Sequence, residues 1–415
     1  MSLTKTQQRT AAELSLIDRA EGRGIDATAR EALDVLRAEG LPSRRVEAWH
    51  YTDLRALLGR LKQDDAPATA ASQTSYLSPL LPHSVVVELD RATAGNDLVA
   101  GLTLSEGRMK AGWSQTVNHL DRGFDTIRVL NQAMGARGLD IAIAPDLALS
   151  SPVELRPEPS AVGGQSFANV SIGAGSKATI VERAPAAGAG AISTAVYTLD
   201  IADGADLLWI VVQEKGADES HLGQLNVTLH ANSQLRLFVL NAGGAVVRQE
   251  VHAVTEGEGA DIKIRGVNLL QDGQHVDVTT TLNHNVAHTT STETFRNVVL
   301  GGHGVFQGMI RVAKGAQKTD ARLACNTLLL SDEGDFSAKP ELEIFADDVQ
   351  CGHGATAGEI NADHLFYLMS RGIPEARARS LLVKAFVGEV VEELEDESVV
   401  EALEARIDAW LDSRH

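Results

Sequence analysis

The sequence predicts a mainly β protein in which a core of stacked β-helix turns lies between two α-helical regions. Three observations lead to this fold class. Helical spacing gives way to short β-rich runs between about Val85 and Phe345. One kind of turn signal recurs within that stretch at nearly constant steps. No segment of helix length separates the repeats, so the strands follow one another directly.

The amino-terminal part, residues 1–62, is predicted to be a helical region. Apolar residues recur there at helical spacing, and Gly40 followed by Leu41-Pro42 marks a helix stop. Residues 63–82 begin with a stretch rich in Ala, Ser, Thr, Asp and Pro, which is typical of a linker. We therefore expect the folded core to begin after this linker.

The core, residues 83–358, carries the repeat. Its turn marks at Gly175, Gly204, Asn232 and Gly259 follow one another at steps of 29, 28 and 27 residues. A doubly wound α/β sheet would need a crossover helix in each unit, and none is present in the pattern. Turns stacked in a β-helix satisfy the backbone hydrogen bonds and suit the small residues found here. A β-sandwich is the main alternative.

Helical spacing returns in residues 359–415. Asn361 can cap a first helix that stops at Arg371-Gly372, and Pro374 suits the start of a second. A third helix runs from about Val399 to the end of the apolar pattern. We expect three short helices stacked at the end of the solenoid.

Composition narrows the range of partners. The 415-residue chain has 56 acidic and 37 basic residues and a formal net charge of −19, which disfavours nucleic acid and anionic membranes as partners. It has two cysteines, its amino terminus lacks the apolar run of a secretory signal, and its longest apolar run, Leu207 to Val212, is far shorter than a membrane span. We therefore expect a cytoplasmic location.

Catalytic motifs are missing from the sequence. It has no Walker A loop, since Gly175-Ser176-Lys177 is better explained as a solenoid turn, and it has neither a Gly-x-Ser-x-Gly elbow nor a His-Glu-x-x-His helix. The sequence therefore gives no support for P-loop nucleotide hydrolysis, for serine-histidine-acid catalysis or for a metalloprotease of the His-Glu-x-x-His type. A β-helix polysaccharide lyase or hydrolase, which would use carboxylates and basic residues on one solenoid face, stays open as an alternative.

Cys351 and His353 are the candidate metal ligands. Two steps along a strand separate them by about 6.6 Å and place both side chains on one face. Two ligands do not fill a tetrahedral site, so Asp347, Asp348 or a partner chain would have to complete it. The alternative is that Cys351 is a small buried hydrophobe and His353 a satisfied polar residue.

A second histidine pair, His284 and His288, lies in a Thr-rich segment whose β-branched residues favour a strand. Four strand steps would hold the two rings about 13 Å apart, too far to share an ion. We therefore do not expect a metal site there. A metal-storage protein would need tight metal binding by the isolated chain.

Several motifs in order carry a resemblance to a known family. The amino-terminal match is Glu47-x-Trp49-x-Tyr51-Thr52, and His284-x-x-x-His288 follows within the core. The densest matches are Gln317-Lys318-Thr319-Asp320-Ala321, Lys339-Pro340-Glu341-Leu342-Glu343-Ile344, Cys351-x-His353-Gly354-Ala355-Thr356 and Leu365-Phe366-Tyr367-Leu368-x-x-Arg371-Gly372-Ile373. Together they resemble the SufD branch of the SufB/SufD family, which belongs to the SUF iron-sulfur cluster assembly system.

The resemblance implies a right-handed parallel β-helix and a non-catalytic scaffold that pairs with the SufB subunit. It also implies that no cofactor is bound by the isolated chain and that His353, and less securely Cys351, ligates iron or a nascent cluster at the SufB interface. Pairing of the isolated chain with a second copy stays open. The SufC ATPase is expected to dock on the carboxy-terminal helices, at Leu365, Phe366, Tyr367, Met369, Arg371, Gly372 and Ile373.

Overall fold

The fold was examined in a computed structural model that describes residues 9–22, 26–60, 78–90, 98–109, 125–157 and 163–413. Most of the predicted linker, residues 63–77, lies outside the described residues. The helices are α1 (Ala11–Glu21), α2 (Ala27–Glu39), α3 (Leu54–Arg60), α4 (Thr126–Ala133), α5 (Ala362–Ser370), α6 (Glu375–Glu392) and α7 (Glu397–Asp412), with a short 3-10 turn at Glu47–Trp49.

Two nine-stranded sheets form the core of the described chain. Successive strands alternate between the sheets, so the chain winds as a parallel β-solenoid of about seven turns. Sheet A contains β1 (Val85–Glu88), β4 (Val153–Arg156), β6 (Lys177–Pro185), β8 (Asp206–Glu214), β10 (Gln234–Asn241), β12 (Asp261–Leu270), β14 (Thr290–Val299), β16 (Asp320–Leu329) and β18 (Gln350–Gly358). Sheet B contains β2 (Leu102–Glu106), β3 (Arg137–Ile143), β5 (Gln165–Ile172), β7 (Ile192–Ile201), β9 (Ser220–Leu229), β11 (Val246–Thr255), β13 (His275–His284), β15 (Gly302–Val312) and β17 (Gly334–Ile344).

The strand register reproduces the repeat length seen in the sequence. Lys177 pairs with Asp206, Asp206 with Gln234, and Gln234 with Asp261, which gives steps of 29, 28 and 27 residues. The neighbouring strands are parallel except for β2 and β3, so the β-helix prediction is confirmed and the β-sandwich is excluded. The predicted turn marks all adopt left-handed backbone, which Gly and Asn tolerate best, with φ values of +63° at Gly175, +67° at Gly204, +54° at Asn232 and +78° at Gly259.

The solenoid interior is mainly apolar, and it contains a column of stacked polar side chains. Asn241 Nδ2 donates to Asn268 Oδ1, and Asn268 Nδ2 donates to Asn297 Oδ1, each at 2.7 Å. Asn297 Nδ2 then donates to Thr327 Oγ1 at 3.0 Å and to the Cys325 thiol at 3.2 Å. Because each amide is both donor and acceptor, a stacked column satisfies buried polar groups that would otherwise be costly.

The helices cover the outer faces of the sheets. The amino-terminal helices and α4 pack on sheet B, in a cluster that includes Leu33, Ile127, Phe167 and Val196. This cover was predicted only in part, because α4 lies within the residues assigned to the β core.

The carboxy-terminal helices differ from the prediction in their position. Val387 on α6 and Leu403 on α7 pack against Ile210 and Phe238 on the outer face of sheet A. The expectation of three helices stacked at the end of the solenoid is therefore wrong for α6 and α7. Central strands of sheet A such as β8 and β10 carry apolar residues on both faces, so their outer face needs a cover.

Within the residues that the structure describes, no helix is long and apolar enough to cross a membrane.

Candidate functional site

The last turn of the solenoid differs from all earlier turns in its exposure. Strands β17 and β18 are the final members of sheets B and A, and each pairs with one neighbour only in the described chain. Most residues of β18 are exposed, and Phe345, just after β17, has 54% of its surface exposed. An unpaired strand presents free backbone N–H and C=O groups, so this edge can accept a further strand.

Cys351 and His353 lie on β18 and face the same way. In the register with β16, Cys351 pairs with Ala321 and His353 with Leu323, and both of those partners belong to the buried interior. Side chains on paired strands point to the same face at matched positions. Both candidate ligands therefore face the interior of the solenoid at its open end.

The environments of the two candidates are unequal. Cys351 is half-buried against the interior cluster, while His353 is exposed. Burial raises the pKa of the Cys351 thiol, and the nearby carboxylate of Asp320 raises it further. The cysteine thus needs a cation or another positive group nearby before its thiolate becomes the dominant form.

The ligand set is not completed within the described part of the chain. Asp347 and Asp348 are exposed, and the Asp348 carboxylate forms an ion pair with Lys318. No group of three or more His, Cys, Asp or Glu side chains in the described residues is placed to hold a metal ion. The last turn therefore provides a thiol and an imidazole on one edge strand.

The second histidine pair, His284 and His288, does not lie on one strand. His284 ends β13, and its ring nitrogens lie 2.7 Å from Thr289 Oγ1 and 2.9 Å from Ser291 Oγ. Burial lowers the pKa of His284 to about 4, so its ring is neutral at pH 7. The prediction that both residues lie on a strand is wrong for His288, which occupies the following turn with φ of +57°.

Cys325 is fully buried in the interior. Its thiol accepts a hydrogen bond from Asn297 Nδ2, and burial raises its pKa to about 12. Such a thiol is an inert packing group at neutral pH.

Helix α5 forms a second exposed surface, directly after β18. Asn361 caps its first turn by accepting from two backbone N–H groups, and none of its residues is buried. Phe366, Tyr367 and Met369 are exposed, with 73% of the surface of Phe366 accessible. The Arg371 guanidinium lies 5.1 Å from the centre of the Tyr367 ring, and Gly372 ends this surface with φ of +87°. The remaining predicted docking residues, Leu365 and Ile373, are half-buried.

Some buried polar groups were missed by sequence reasoning. The Arg248 guanidinium is fully buried between the carboxylates of Glu250 and Asp277 and donates to the Ala48 carbonyl at 2.8 Å. It also stacks 4.0 Å from the centre of the Trp49 ring. These contacts hold the Glu47-x-Trp49 motif against sheet B, so the motif has a structural role. The interior acids Glu182 and Glu293 were also missed. Glu182 lies where β6 is buried on both faces, and Glu293 alternates with threonines rather than with apolar residues.

A comparison with protein families identifies the chain at this point. The model for the SufBD core domain of SUF-system iron-sulfur cluster assembly matches residues 160–386, more than half of the chain. The chain belongs to the SufBD family. That domain covers the solenoid from β5 to β18 and extends into α6.

Relatives support a SufD-like member of the SufBD family. The iron-sulfur cluster assembly protein SufD of Escherichia coli (strain K12) is 28% identical over 94% of this chain and 93% of its own length. A SufBD family protein of Synechocystis sp. is 27% identical over 88% of this chain and 86% of its own length. The expected family and its role in iron-sulfur cluster assembly are confirmed. The comparisons do not favour the polysaccharide lyase or hydrolase alternative.

Proposed function

We propose that this chain is the non-catalytic scaffold subunit of a SUF complex, where it pairs with SufB and docks the SufC ATPase. In this proposal the iron or nascent cluster is cargo, held between His353 of this chain and groups of SufB. Cys351 is the second candidate ligand. A cytoplasmic location remains the expectation from the sequence.

The observation that carries the proposal is the open last turn, with Cys351 and His353 side by side on β18. Strands β3 to β16 have a neighbour on each side, whereas β17 and β18 have one free edge each in the described chain. A second solenoid of the same strand spacing can continue both sheets there. The same contact would bring its ligands to the exposed His353 and complete a site that has two groups here.

Helix α5 supports the SufC part of the proposal. A soluble chain rarely leaves a phenylalanine and a tyrosine exposed side by side, so Phe366 and Tyr367 fit a protein contact. Only three residues, Glu359 to Asn361, connect the end of β18 with α5. A displacement of α5 by the ATPase would therefore reach the strand that carries His353 directly, which gives nucleotide-driven opening of the SufB interface a short mechanical path.

The ligand role is tested by His353→Ala. The chain is co-expressed with SufB and SufC, the complex is purified, and its iron and sulfide content is measured after cluster assembly. We expect the variant to fold and to retain SufC but to carry less cluster. His230→Ala is the matched control, because the His230 side chain is partly exposed but lies beside Asp200, away from the last turn. Full cluster content in the His353→Ala complex would remove His353 from the mechanism.

The docking role is tested by Phe366→Ser, measured as the amount of SufC that copurifies with the chain. We expect this variant to lose SufC while its thermal unfolding stays unchanged, since Phe366 is not part of the core. Leu14→Ser is the matched control, because Leu14 on α1 is another exposed large apolar residue. Equal loss of SufC in both variants, or in neither, would argue against docking on α5.

A further inference from the structure

Glu293 is a buried acid that the proposed function does not use. It lies on β14 in the same register column as His353, because Glu293 pairs with Leu323 and Leu323 pairs with His353. Leu323 faces the interior, so Glu293 does as well. Two strand spacings of about 4.8 Å place the carboxyl group about 10 Å behind His353.

The carboxyl group of Glu293 is buried without a hydrogen-bond partner among the described residues. The residue is 1% exposed, and neither carboxylate oxygen has a hydrogen-bond partner within normal geometry among the described residues. The Thr280 hydroxyl on β13 faces it and favours the carboxylate only weakly, so burial raises the pKa of Glu293 to about 7. Buried acids are rarely left in this condition without a role.

The residue between Glu293 and the open end is apolar. Leu323 lies against Gly308 on the opposite strand, where even a β-carbon would come within 2.3 Å of Leu323 Cδ1. Glu293 therefore does not contact His353, and a charge at the open end would act on it through a short layer of low dielectric. An electrostatic interaction across such a layer is weakly screened by salt.

Glu293 differs from the other titratable groups on the neighbouring strands, because it is the one expected to respond to a cation at the open end. Cys325 on β16 has a pKa of about 12 and His284 on β13 a pKa of about 4, so both are neutral at pH 7. Arg265 on β12 is the nearby cation, and it already forms an ion pair with Glu393 on the outer face of sheet A. Neither Cys325 nor His284 changes charge between pH 6 and pH 8.

We propose that Glu293 is a charge-compensating residue for the cation held at the open end of the solenoid. Slightly below neutral pH it mostly keeps its proton while the site at His353 is empty, and it releases part of that proton when a divalent cation binds there. The buried carboxylate then stabilises the bound cation through Leu323. This inference rests on the proposed ligand role of His353, and it adds the release of about half a proton, near pH 6.5, to each binding event.

Glu293→Gln tests this coupling, with Co²⁺ as the probe. The full chain is copurified with SufB and SufC, and Co²⁺ binding is followed by absorbance near pH 6.5 while a pH indicator counts released protons. The part of the signal lost in His353→Ala defines binding at the open end. We expect Glu293→Gln to release about half a proton fewer per Co²⁺ and to bind it about threefold more weakly at this pH.

Glu182→Gln is the matched control, because Glu182 is also an interior acid with a raised pKa. It lies in the register column of Cys325 and Ala355, six strand spacings or about 29 Å from the last turn. We expect it to bind Co²⁺ and release protons like the wild type.

The outcomes separate the inference from the proposed function. Equal proton release and affinity in wild type and Glu293→Gln, with Co²⁺ still bound through His353, overturn the charge coupling alone. Equal losses in Glu293→Gln and Glu182→Gln overturn it as well, since they indicate a general effect on the interior. Absence of any signal that depends on His353 overturns both the ligand role and the coupling.

Discussion

Glu182 allows a quantitative prediction of how stability depends on pH. Its side chain is 1% exposed in the solenoid interior, where Trp209 Nε1 lies 3.3 Å from Glu182 Oε2. Burial disfavours the carboxylate and raises the pKa of Glu182 from 4.5 to about 8, although the Trp209 hydrogen bond opposes this rise. In the unfolded chain the group is solvated and loses its proton near its ordinary pKa.

The sign follows from proton linkage. Between pH 4.5 and 8 the folded state keeps the Glu182 proton that the unfolded state has released. The free energy of unfolding therefore falls as pH rises through this window, by about 1.4 kcal/mol per pH unit, and the full loss is up to about 5 kcal/mol. Glu182→Gln does not lose this stability, because an amide does not ionise in this pH range. The amide has nearly the shape of the protonated acid, and its oxygen can still accept a hydrogen bond from Trp209.

Urea unfolding between pH 5 and 9, followed by tryptophan fluorescence, measures this effect. We expect Glu182→Gln and wild type to have similar unfolding free energies at pH 5, and the variant to be more stable by several kcal/mol at pH 8 to 9. The titration of Glu293 is common to both chains, so it cancels in the difference. Glu258→Gln, which changes an exposed turn residue, is the control. A difference between wild type and Glu182→Gln that does not change with pH would refute the reasoning.

Two further predictions concern packing in the interior. Asn268→Ala should lower the unfolding free energy by about 1 to 3 kcal/mol, because it leaves the amide donor of Asn241 and the amide oxygen of Asn297 without their partner; an unchanged urea midpoint would contradict this. Gly308→Ala should cost about 1 to 3 kcal/mol because the new methyl group meets Leu323, whereas Gly315→Ala, with nothing within 4 Å, should leave the melting temperature unchanged.

The repeat could be predicted because its turns have a strict backbone requirement. A left-handed residue closes each turn, and where Gly or Asn supplies it, as at Gly204 and Asn232, the sequence shows it. In the last turns the equivalent left-handed positions are His288 and Lys318, with φ of +57° and +63°. Neither residue type signals such a turn, so the repeat disappears from the sequence just where the candidate site lies.

The interior acids could not be predicted for a different reason. Most strands of the central turns are buried on both faces, so the alternation that separates inside from outside in an exposed sheet is absent. Glu293, Leu323 and His353 share a column only because the last two turns are each 30 residues long, whereas the step from Gln234 to Asp261 is 27. Turn length depends on loop packing, which a single sequence does not reveal.

The two ends of the solenoid differ in their strand pairing, and this difference affects how the chain can assemble with a second solenoid. At the amino-terminal end of sheet B, β2 pairs antiparallel with β3, which breaks the parallel pattern that another solenoid would have to continue. At the other end, β17 and β18 keep the parallel pattern and leave their edges unpaired in the described chain. Growth of sheet B through strand pairing is therefore directed to one end, which favours a closed pair of solenoids over a filament. A pair joined at that end would enclose His353 between two chains.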